Sequence, residues 1–198
     1  TVREELSDGE TIDNYYYGQE QVDNIGLQDF EGGYKMGKYL IDQGMKRILF
    51  LADNDIGVDH ERWMGLKKSA EEAEKVSAEQ WIMPGKKEFR EIWMKDRAEK
   101  IKSYDALFFA SDHYAQEGIQ FLMDYGIEVP GEISVAGFDD SPYASLCTPR
   151  ITTIRQDVMK KGKTVVRNLM SLIREEPFQE EERLPVELVV RDSVQKKE

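Results

Sequence analysis

Hydrophobic residues alternate along the chain between short apolar runs and longer stretches with helical spacing. The runs at residues 47–51, 105–110 and 133–138 are mostly apolar, which is typical of strands buried on both faces of a parallel sheet. Residues 112–125 carry apolar side chains three and four positions apart and are followed by Gly126, as expected for an amphipathic helix. This alternation of strands and helices predicts a doubly wound α/β fold with parallel sheets.

The complete set of predicted elements keeps the same alternation. Asp29 is expected to cap the first helix, and Ser111 or Asp112 the fourth. Residues 54–59 and 141–149 are predicted to be loops. Extended segments are expected at 22–27, 47–51, 80–83, 105–110, 133–138, 151–154 and 184–190, and helices at 30–43, 60–74, 88–103, 112–125 and 157–174.

Candidate chemistry is concentrated just after the predicted strands, where doubly wound folds bind their ligands. Carboxylates accept hydrogen bonds from hydroxyl groups, and a guanidinium donates pairs of hydrogen bonds to hydroxyls or to a carboxylate. An aromatic ring such as Phe89 or Trp81 can cover the apolar face of a sugar or a purine. The pattern predicts a site for a polyhydroxylated small molecule. The polar candidates are Asp53, Asp55, Arg62, Ser111, Asp112, Asp139, Asp140 and Gln156.

The charge of the chain argues against direct contact with nucleic acid. The formal net charge is −12, and a surface of that sign repels phosphate. The single cysteine, Cys147, cannot form an internal disulfide, which favours a reducing compartment such as the cytoplasm. No stretch of about 18 apolar residues is present, so no membrane span is predicted.

Sequence motifs of common catalytic and nucleotide sites are absent. The chain has no GxSxG, no HExxH and no GxxxxGK[ST] pattern. His60 and His113 have no metal-ligand spacing with Cys147. No catalytic activity, metal or cofactor is therefore predicted, and an enzyme with this fold is the third hypothesis, after two kinds of binding protein.

Several blocks of the sequence carry a family resemblance. Residues 107–115 read LFFASDHYA, residues 126–140 read GIEVPGEISVAGFDD, residues 149–157 read PRITTIRQD, and residues 62–66 read RWMGL. These blocks resemble the LacI/GalR family of bacterial transcription regulators, and the resemblance extends from about residue 22 to residue 190.

The resemblance implies both a fold and a ligand site. In that family two α/β subdomains clasp a small effector, so a type I periplasmic-binding-protein-like fold is expected. Arg62 corresponds to the effector-binding arginine, and Asp139 to the carboxylate that grips ligand hydroxyls. Ser111 stands where Asn is common, and Asp112 matches the aspartate at the start of the helix. The ligand-binding residues implied are Arg62, Asp139, Ser111, Asp112, Phe89 and Gln156.

The resemblance also implies two subdomains, of which the first is incomplete. Residues 1–51 and 155–178 are expected to form a partial N-terminal subdomain, and residues 52–154 and 179–198 the C-terminal subdomain. The helix-turn-helix head of the family and the first elements of its first subdomain have no counterpart in this sequence. We therefore expect the chain to be part of a longer protein.

The expected partners are a sugar-like effector, a second copy of the chain, and operator DNA reached through the missing head, with no membrane. The interface residues implied for a homodimer are Tyr114, Tyr143, Leu146 and Cys147. The last three, which lie in the loop at 141–149, could instead pack beneath that loop. Effector binding would change the angle between the subdomains and thereby operator affinity. The alternative function is a periplasmic or surface sugar-binding protein of a transporter.

Overall fold

The computed structural model describes residues 24–177 and 181–197, which form two compact units. The first unit contains residues 24–27, 157–177 and 181–184, and the second contains residues 28–156 and 185–197. In chain order the elements are β1 (Asn24–Leu27), α1 (Asp29–Asp42), β2 (Arg47–Ala52), α2 (Gly57–Glu71), β3 (Ser77–Ile82), α3 (Lys87–Lys95), α4 (Ala98–Ile101), β4 (Ala106–Phe109), α5 (Asp112–Asp124), β5 (Ser134–Ala136), α6 (Pro142–Leu146), β6 (Thr153–Gln156), α7 (Val158–Ile173), β7 (Glu181–Leu184) and β8 (Val186–Val189).

The second unit is built on a four-stranded parallel sheet with the strand order β3-β2-β4-β5. Every residue of β2 after Arg47 is buried, as is the whole of β4. Such burial on both faces explains why these two strands are continuously apolar. The rings of Phe50 on β2 and Phe108 on β4 meet edge to face, with their centroids 5.2 Å apart. The predicted α/β architecture with a parallel sheet is confirmed.

Strands β6 and β8 form an antiparallel pair in the same unit, with Ile154 opposite Leu188. The predicted final strand at 184–190 is found as Val186–Val189, but Leu184 belongs to β7, a separate strand that was not predicted. The chain leaves β7 at Pro185 and begins β8 at Val186. Proline has no backbone N–H to donate to a strand ladder, which accounts for the break.

The first unit contains β1, α7 and β7. The two strands pair in parallel, with Asn24 opposite Glu181. The predicted strand at 22–27 is found as Asn24–Leu27, and residues 22 and 23 lie outside the described residues. Helix α7 begins after Asp157, whose carboxylate accepts a hydrogen bond of 2.8 Å from the backbone N–H of Lys160. This side-chain cap fixes the start of the predicted helix.

The boundary between the units differs from the one expected. Residues 28–51 were expected in the first subdomain, but α1 and β2 belong to the second unit. The reason is that β2 pairs with β3 and β4 and so lies inside the four-stranded sheet. Residues 1–23, 178–180 and 198, which the expected division also assigned, lie outside the described residues. The assignment of the units to the N- and C-terminal subdomains of the family stays a prediction.

Two predicted segments differ from the structure in their helix content: one predicted helix is broken, and one predicted loop contains a short helix. The helix at 88–103 is interrupted between α3 and α4, where the Arg97 guanidinium donates a hydrogen bond of 3.1 Å to the Trp93 carbonyl. In a continuous helix that carbonyl would accept a hydrogen bond from the backbone N–H of Arg97. The loop at 141–149 contains α6, with Pro142 in its first turn. Within the ranges described, no helix is long and apolar enough to cross a membrane.

Candidate functional site

Arg62, on α2, lies at the carboxyl end of the four-stranded sheet, and its side chain is only 8% exposed. Its Nε and Nη2 atoms both lie 2.8 Å from Oδ1 of Asp29. Its Nη1 atom donates a hydrogen bond of 2.7 Å to the carbonyl of Ala110, directly after β4. The guanidinium carbon stands 3.9 Å from the centre of the Phe138 ring, a cation–π contact. Arg62 is therefore held by α1, β4 and the segment after β5.

Two glycines bring the backbones of α1 and α2 together beside this arginine. A Cβ on Gly33 would overlap the backbone carbonyl of Arg62, and a Cβ on Gly65 would overlap the carbonyl of Phe30. Only glycine allows two helices to approach so closely. This crossing places Asp29, on α1, within hydrogen-bond distance of the arginine.

Two further aspartates face the same guanidinium at longer range. Oδ1 of Asp59, one helical turn before Arg62, is 3.6 Å from Nη1, and Oδ1 of Asp139 is 3.8 Å from Nη2. Burial raises the pKa of Asp59, while the arginine charge opposes that change. We call Arg62, Asp29, Asp59 and Asp139 the Arg62 cluster. The predicted proximity of Arg62 and Asp139 is present in the structure.

Asp139 is held in a left-handed backbone conformation, with φ of 108°. Its backbone N–H donates to the carbonyl of Ile154, at 2.8 Å. Its Oδ1 atom accepts a hydrogen bond of 2.7 Å from the side-chain amide of Gln156, on β6. The side chain is 38% exposed, so part of the carboxylate is open to solvent. Asp139 is thus the most accessible member of the cluster, and Gln156 lies beside it.

The pKa of Asp139 is raised from its ordinary value of 3.8 to about 6. Loss of solvation is the largest cause, and it outweighs the favourable charge of Arg62. The negative charges of Asp112, Asp29 and Asp59 raise the pKa further. The surroundings of Asp139 therefore disfavour its charged form. Strongly shifted pKa values of this kind are common at functional sites.

This raised pKa predicts that Asp139→Asn stabilises the protein at high pH. The folded wild type holds the Asp139 proton more tightly than the unfolded chain does, so the stability contributed by protonated Asp139 is fully present below about pH 4 and is lost as the pH rises through about 6. Asparagine removes the charge, tolerates a positive φ and can still accept the Gln156 bond. After allowance for solvent screening we expect a gain of about 1 kcal/mol at pH 8 and almost none at pH 4, measured by urea unfolding.

The exposed Asp42→Asn variant at the end of α1 is the control, and it should show no comparable difference between the two pH values. A loss of stability at pH 8 in Asp139→Asn would contradict the explanation given for the raised pKa.

Asp112 is fully buried and has both carboxylate oxygens engaged inside the protein. Oδ1 accepts a hydrogen bond of 2.5 Å from the Thr153 hydroxyl, and Oδ2 accepts one of 2.7 Å from the backbone N–H of Ser141. Burial raises its pKa. Ser111 caps α5 by accepting from the Tyr114 N–H at 3.4 Å. Asp112 thus joins α5 to β6 and to the start of α6, and Ser111 caps α5, while the ligand contacts implied for both stay predictions.

Among the described residues, the ring in cation–π contact with Arg62 is that of Phe138 and neither of the aromatic candidates for covering a ligand. Phe89 is in the first turn of α3 and is 57% exposed. Trp81, on β3, stacks edge to face on Trp93 and Tyr104, with centroid distances of 5.7 Å in both pairs. Trp81 is therefore occupied by core packing, while Phe89 keeps an open face.

Tyr114 has partners within its own chain. Its hydroxyl donates a hydrogen bond of 2.8 Å to Oδ2 of Asp53, and the Arg90 guanidinium carbon lies 4.7 Å from its ring centre. Burial and the neighbouring Asp53 raise the pKa of Tyr114 to about 12. These contacts place Tyr114 beside the carboxyl ends of β2 and β4, and its proposed role in a dimer interface stays a prediction.

The other three interface candidates differ in exposure. Leu146 and Tyr143, on α6, are 82% and 49% exposed. Cys147 is half-buried against the core, and its thiol donates to the Pro149 carbonyl at 3.2 Å. Cys147 thus fits the alternative of packing beneath its own loop, whereas Leu146 and Tyr143 are free to meet another surface.

Two members of the cluster were not among the predicted ligand residues. Asp59 precedes Arg62 by three positions, and that spacing is a helical ion-pair signal visible in the sequence. Asp29 was expected to be a helix cap, but Gln28 occupies the cap position and the Asp29 carboxylate turns to Arg62 instead. No local pattern indicates that pairing, because it joins residues 33 positions apart.

Residues 38–194 match the family model of the periplasmic binding protein-like domain. The match covers well over half of the chain, and the parallel sheet has the corresponding architecture. The chain belongs to this family.

The curated relatives define the group more narrowly. The chain is 33% identical over 182 residues to the HTH-type transcriptional repressor PurR of Vibrio vulnificus, covering 89% of this chain and 54% of the relative. It is 32% identical over 181 residues to the HTH-type transcriptional regulator MalR of Clostridium butyricum, covering 89% and 53%. The chain thus spans about half the length of these relatives. Both relatives are named transcriptional regulators, in keeping with the resemblance of the sequence blocks to the LacI/GalR family.

Solved structures of regulators share this fold. A LacI-family transcriptional regulator from Enterococcus faecium with bound ribose matches with a TM-score of 0.81 and 24% identity, covering 91% of this chain and 68% of that one. The complex of the transcriptional regulator CelR with cellobiose matches with a TM-score of 0.79 and 25% identity, covering 89% and 55%. The first of these comparisons supports the fold alone.

Proposed function

We propose that this chain is the effector-sensing core of a LacI/GalR-type transcription regulator and that it binds a small polyhydroxylated ligand at the Arg62 cluster. Binding would favour one conformation of the full-length protein and so change the operator affinity of a DNA-binding domain elsewhere in that protein. The proposal attributes sensing to this chain and DNA contact to another part of the regulator, in keeping with the net charge of −12.

The observation that carries the ligand site is the position of Asp139. Its half-exposed carboxylate lies after β5, at the edge of the parallel sheet where folds of this kind bind ligands. Its oxygens can accept hydrogen bonds from two hydroxyls, and Gln156 can contribute both a donor and an acceptor beside it. The Arg62 guanidinium lies 3.8 Å from this carboxylate, close enough to attract it.

The relatives favour a regulator over a transporter component. The first curated relatives are named transcriptional repressors or regulators, and so are several of the matched structures. We accordingly propose a non-catalytic protein that acts in the cytoplasm, where its operator would be. A periplasmic or surface sugar-binding protein remains the second candidate because the fold is shared.

A homodimer is the proposed assembly. Leu146 and Tyr143 on α6 are large exposed side chains that a second copy could cover, and the His113 ring lies 5.2 Å from that of Tyr143. Burial of such side chains is the usual source of stability in homodimer interfaces. The operator contact of the complete regulator is part of the same proposal.

The ligand site is tested by a thermal-shift screen of sugars, sugar phosphates and purines. A ligand present at about 100 times its Kd stabilises the folded state by about 2.7 kcal/mol, which corresponds to about 5 °C or more for a chain of this size. We expect at least one sugar to give such a shift with the wild-type chain and none with Asp139→Asn, which keeps the shape of the side chain but loses its charge.

Asp42→Asn removes the same charge from the far end of α1 and should retain the ligand shift. A sugar that stabilises wild type and Asp139→Asn equally would remove Asp139 from the site.

A further inference from the structure

The Arg62 cluster has more negative than positive charge. One guanidinium faces the carboxylates of Asp29, Asp59 and Asp139, at 2.8, 3.6 and 3.8 Å. Arg62 and Asp29 are almost fully buried, so solvent screens their interaction weakly. One positive charge therefore cannot neutralise the three carboxylates.

Arg62 has little capacity left for an anionic ligand. Its Nε atom donates to Asp29 and its Nη1 atom to the Ala110 carbonyl, while Phe138 covers one face of the guanidinium. Its Nη2 atom is also 2.8 Å from Asp29, and Asp59 and Asp139 lie 3.6 Å and 3.8 Å from Nη1 and Nη2. A phosphate or carboxylate would have to displace one of these aspartates to form the bidentate pair that arginine normally offers to anions.

The charged residues that the structure describes beside the cluster do not restore the balance. Asp53 adds negative charge close to Asp59, and Asp112 does so close to Asp139. The negative charge of Asp140, the next residue after Asp139, is balanced by its own ion-pair partners. Those partners are Arg155 and Arg191, and Glu187 lies 3.9 Å from the first of them, so two positive charges meet two negative ones.

We propose that this site discriminates between ligands by charge: it accepts polyhydroxylated ligands that are neutral or that carry an ammonium group, and it rejects those bearing phosphate or carboxylate. This inference rests on the proposed function, because it specifies the class of ligand for the same site. Hydroxyl and ammonium groups donate hydrogen bonds to Asp139, whereas an anion offers only acceptors to a carboxylate and is repelled by it.

The test uses sugars that share one scaffold and differ in charge. Glucosamine, glucose and glucose 6-phosphate form one series, and ribose with ribose 5-phosphate forms another. Dissociation constants are measured by titration calorimetry at pH 7.5 and low ionic strength. We expect each phosphate ester to bind at least about 10-fold more weakly than its parent sugar, and glucosamine to bind at least as tightly as glucose.

Asp59→Asn tests whether the charge of the cluster causes this discrimination. The substitution removes one negative charge and keeps an amide that can still pair with Asn54, whose side chain donates to Asp59 at 3.0 Å. We expect the ratio of the two dissociation constants to fall at least about threefold. Glu71→Gln is the matched control. It removes the same charge from the end of the same helix, about 18 Å away, beyond the screening length of about 8 Å, and should leave the ratio unchanged.

The outcomes separate this inference from the proposed function. If the phosphate esters bind as tightly as their parent sugars, and this binding is lost in Asp139→Asn, the ligand site stands and the charge rule is wrong. An unchanged ratio in Asp59→Asn also overturns the charge rule. If no sugar of any charge binds the wild-type chain, the proposed function itself fails, and the inference fails with it.

Discussion

Replacing Arg62 by methionine should lower the free energy of unfolding by about 3–5 kcal/mol. Methionine has similar length and keeps the contact with the Phe138 ring, but it leaves the Asp29 carboxylate buried without its cation. It also removes the hydrogen bond of 2.7 Å that Arg62 Nη1 donates to the Ala110 carbonyl. An unpaired buried charge costs more than the ion pair contributed, so the loss should exceed that expected from the lost contacts. Urea unfolding monitored by circular dichroism measures it.

Two controls identify the cause of this loss. The double variant Arg62→Met, Asp29→Asn removes both charges, and it should recover a large part of the stability because the buried charge is gone. Arg150→Met breaks the exposed pair between Arg150 and Asp192 and should change stability very little. If Arg62→Met and Arg150→Met were equally stable, Arg62 would have no structural role in its cluster.

This expectation changes what an arginine substitution can reveal about ligand binding. From the sequence alone, Arg62→Ala should abolish effector binding and leave the fold intact. The structure shows a side chain 8% exposed that joins α2 to Asp29 and to the end of β4, so loss of binding in that variant would not separate a ligand contact from a damaged fold. Asp139→Asn is the cleaner test, because it is expected to lose the ligand and gain stability together.

The parts of the fold that could be predicted from sequence are those set by short-range patterns. The apolar runs that form β2 and β4 are buried on both faces of the sheet. Because burial on both faces requires a continuous run of apolar residues, the run in the sequence is enough to predict the buried strand. The cap at Ser111 follows from the same local rules. The membership of β2 in the second unit depends on which strands it pairs with, and pairing between distant segments leaves no local trace.

The site shows the same division. Arg62, Asp139 and Gln156 could be chosen as ligand-site candidates because they follow strands and match family blocks, and the structure brings all three together. The pairing of Arg62 with Asp29 could not be identified, because it depends on how α1 crosses α2. A guanidinium expected to be offered to ligand is in fact occupied by the protein. The sign of the charge presented to a ligand therefore follows from the packing of two helices.

That packing provides the second large prediction: Gly65→Ala should lower the free energy of unfolding by about 3 kcal/mol. The added methyl would overlap the Phe30 carbonyl and lie 2.6 Å from the Tyr34 backbone nitrogen, so both obstacles are main-chain atoms of α1 that cannot rotate away. Alanine is better than glycine in a helix by about 1 kcal/mol, and this gain is too small to offset a forced separation of α1 and α2. Thermal and urea unfolding both report the change.

Gly162→Ala is the matched control, since it makes the same substitution inside α7, where a Cβ would meet nothing within 4 Å. It should leave stability unchanged or raise it by up to about 1 kcal/mol. Separation of the helices in Gly65→Ala should also move Asp29 away from Arg62, so any folded Gly65→Ala protein should bind sugar more weakly even though residue 65 is not a proposed ligand contact. Equal stability of the two alanine variants would show that the crossing of α1 and α2 can relax, and that the geometry of the Arg62 cluster does not depend on it.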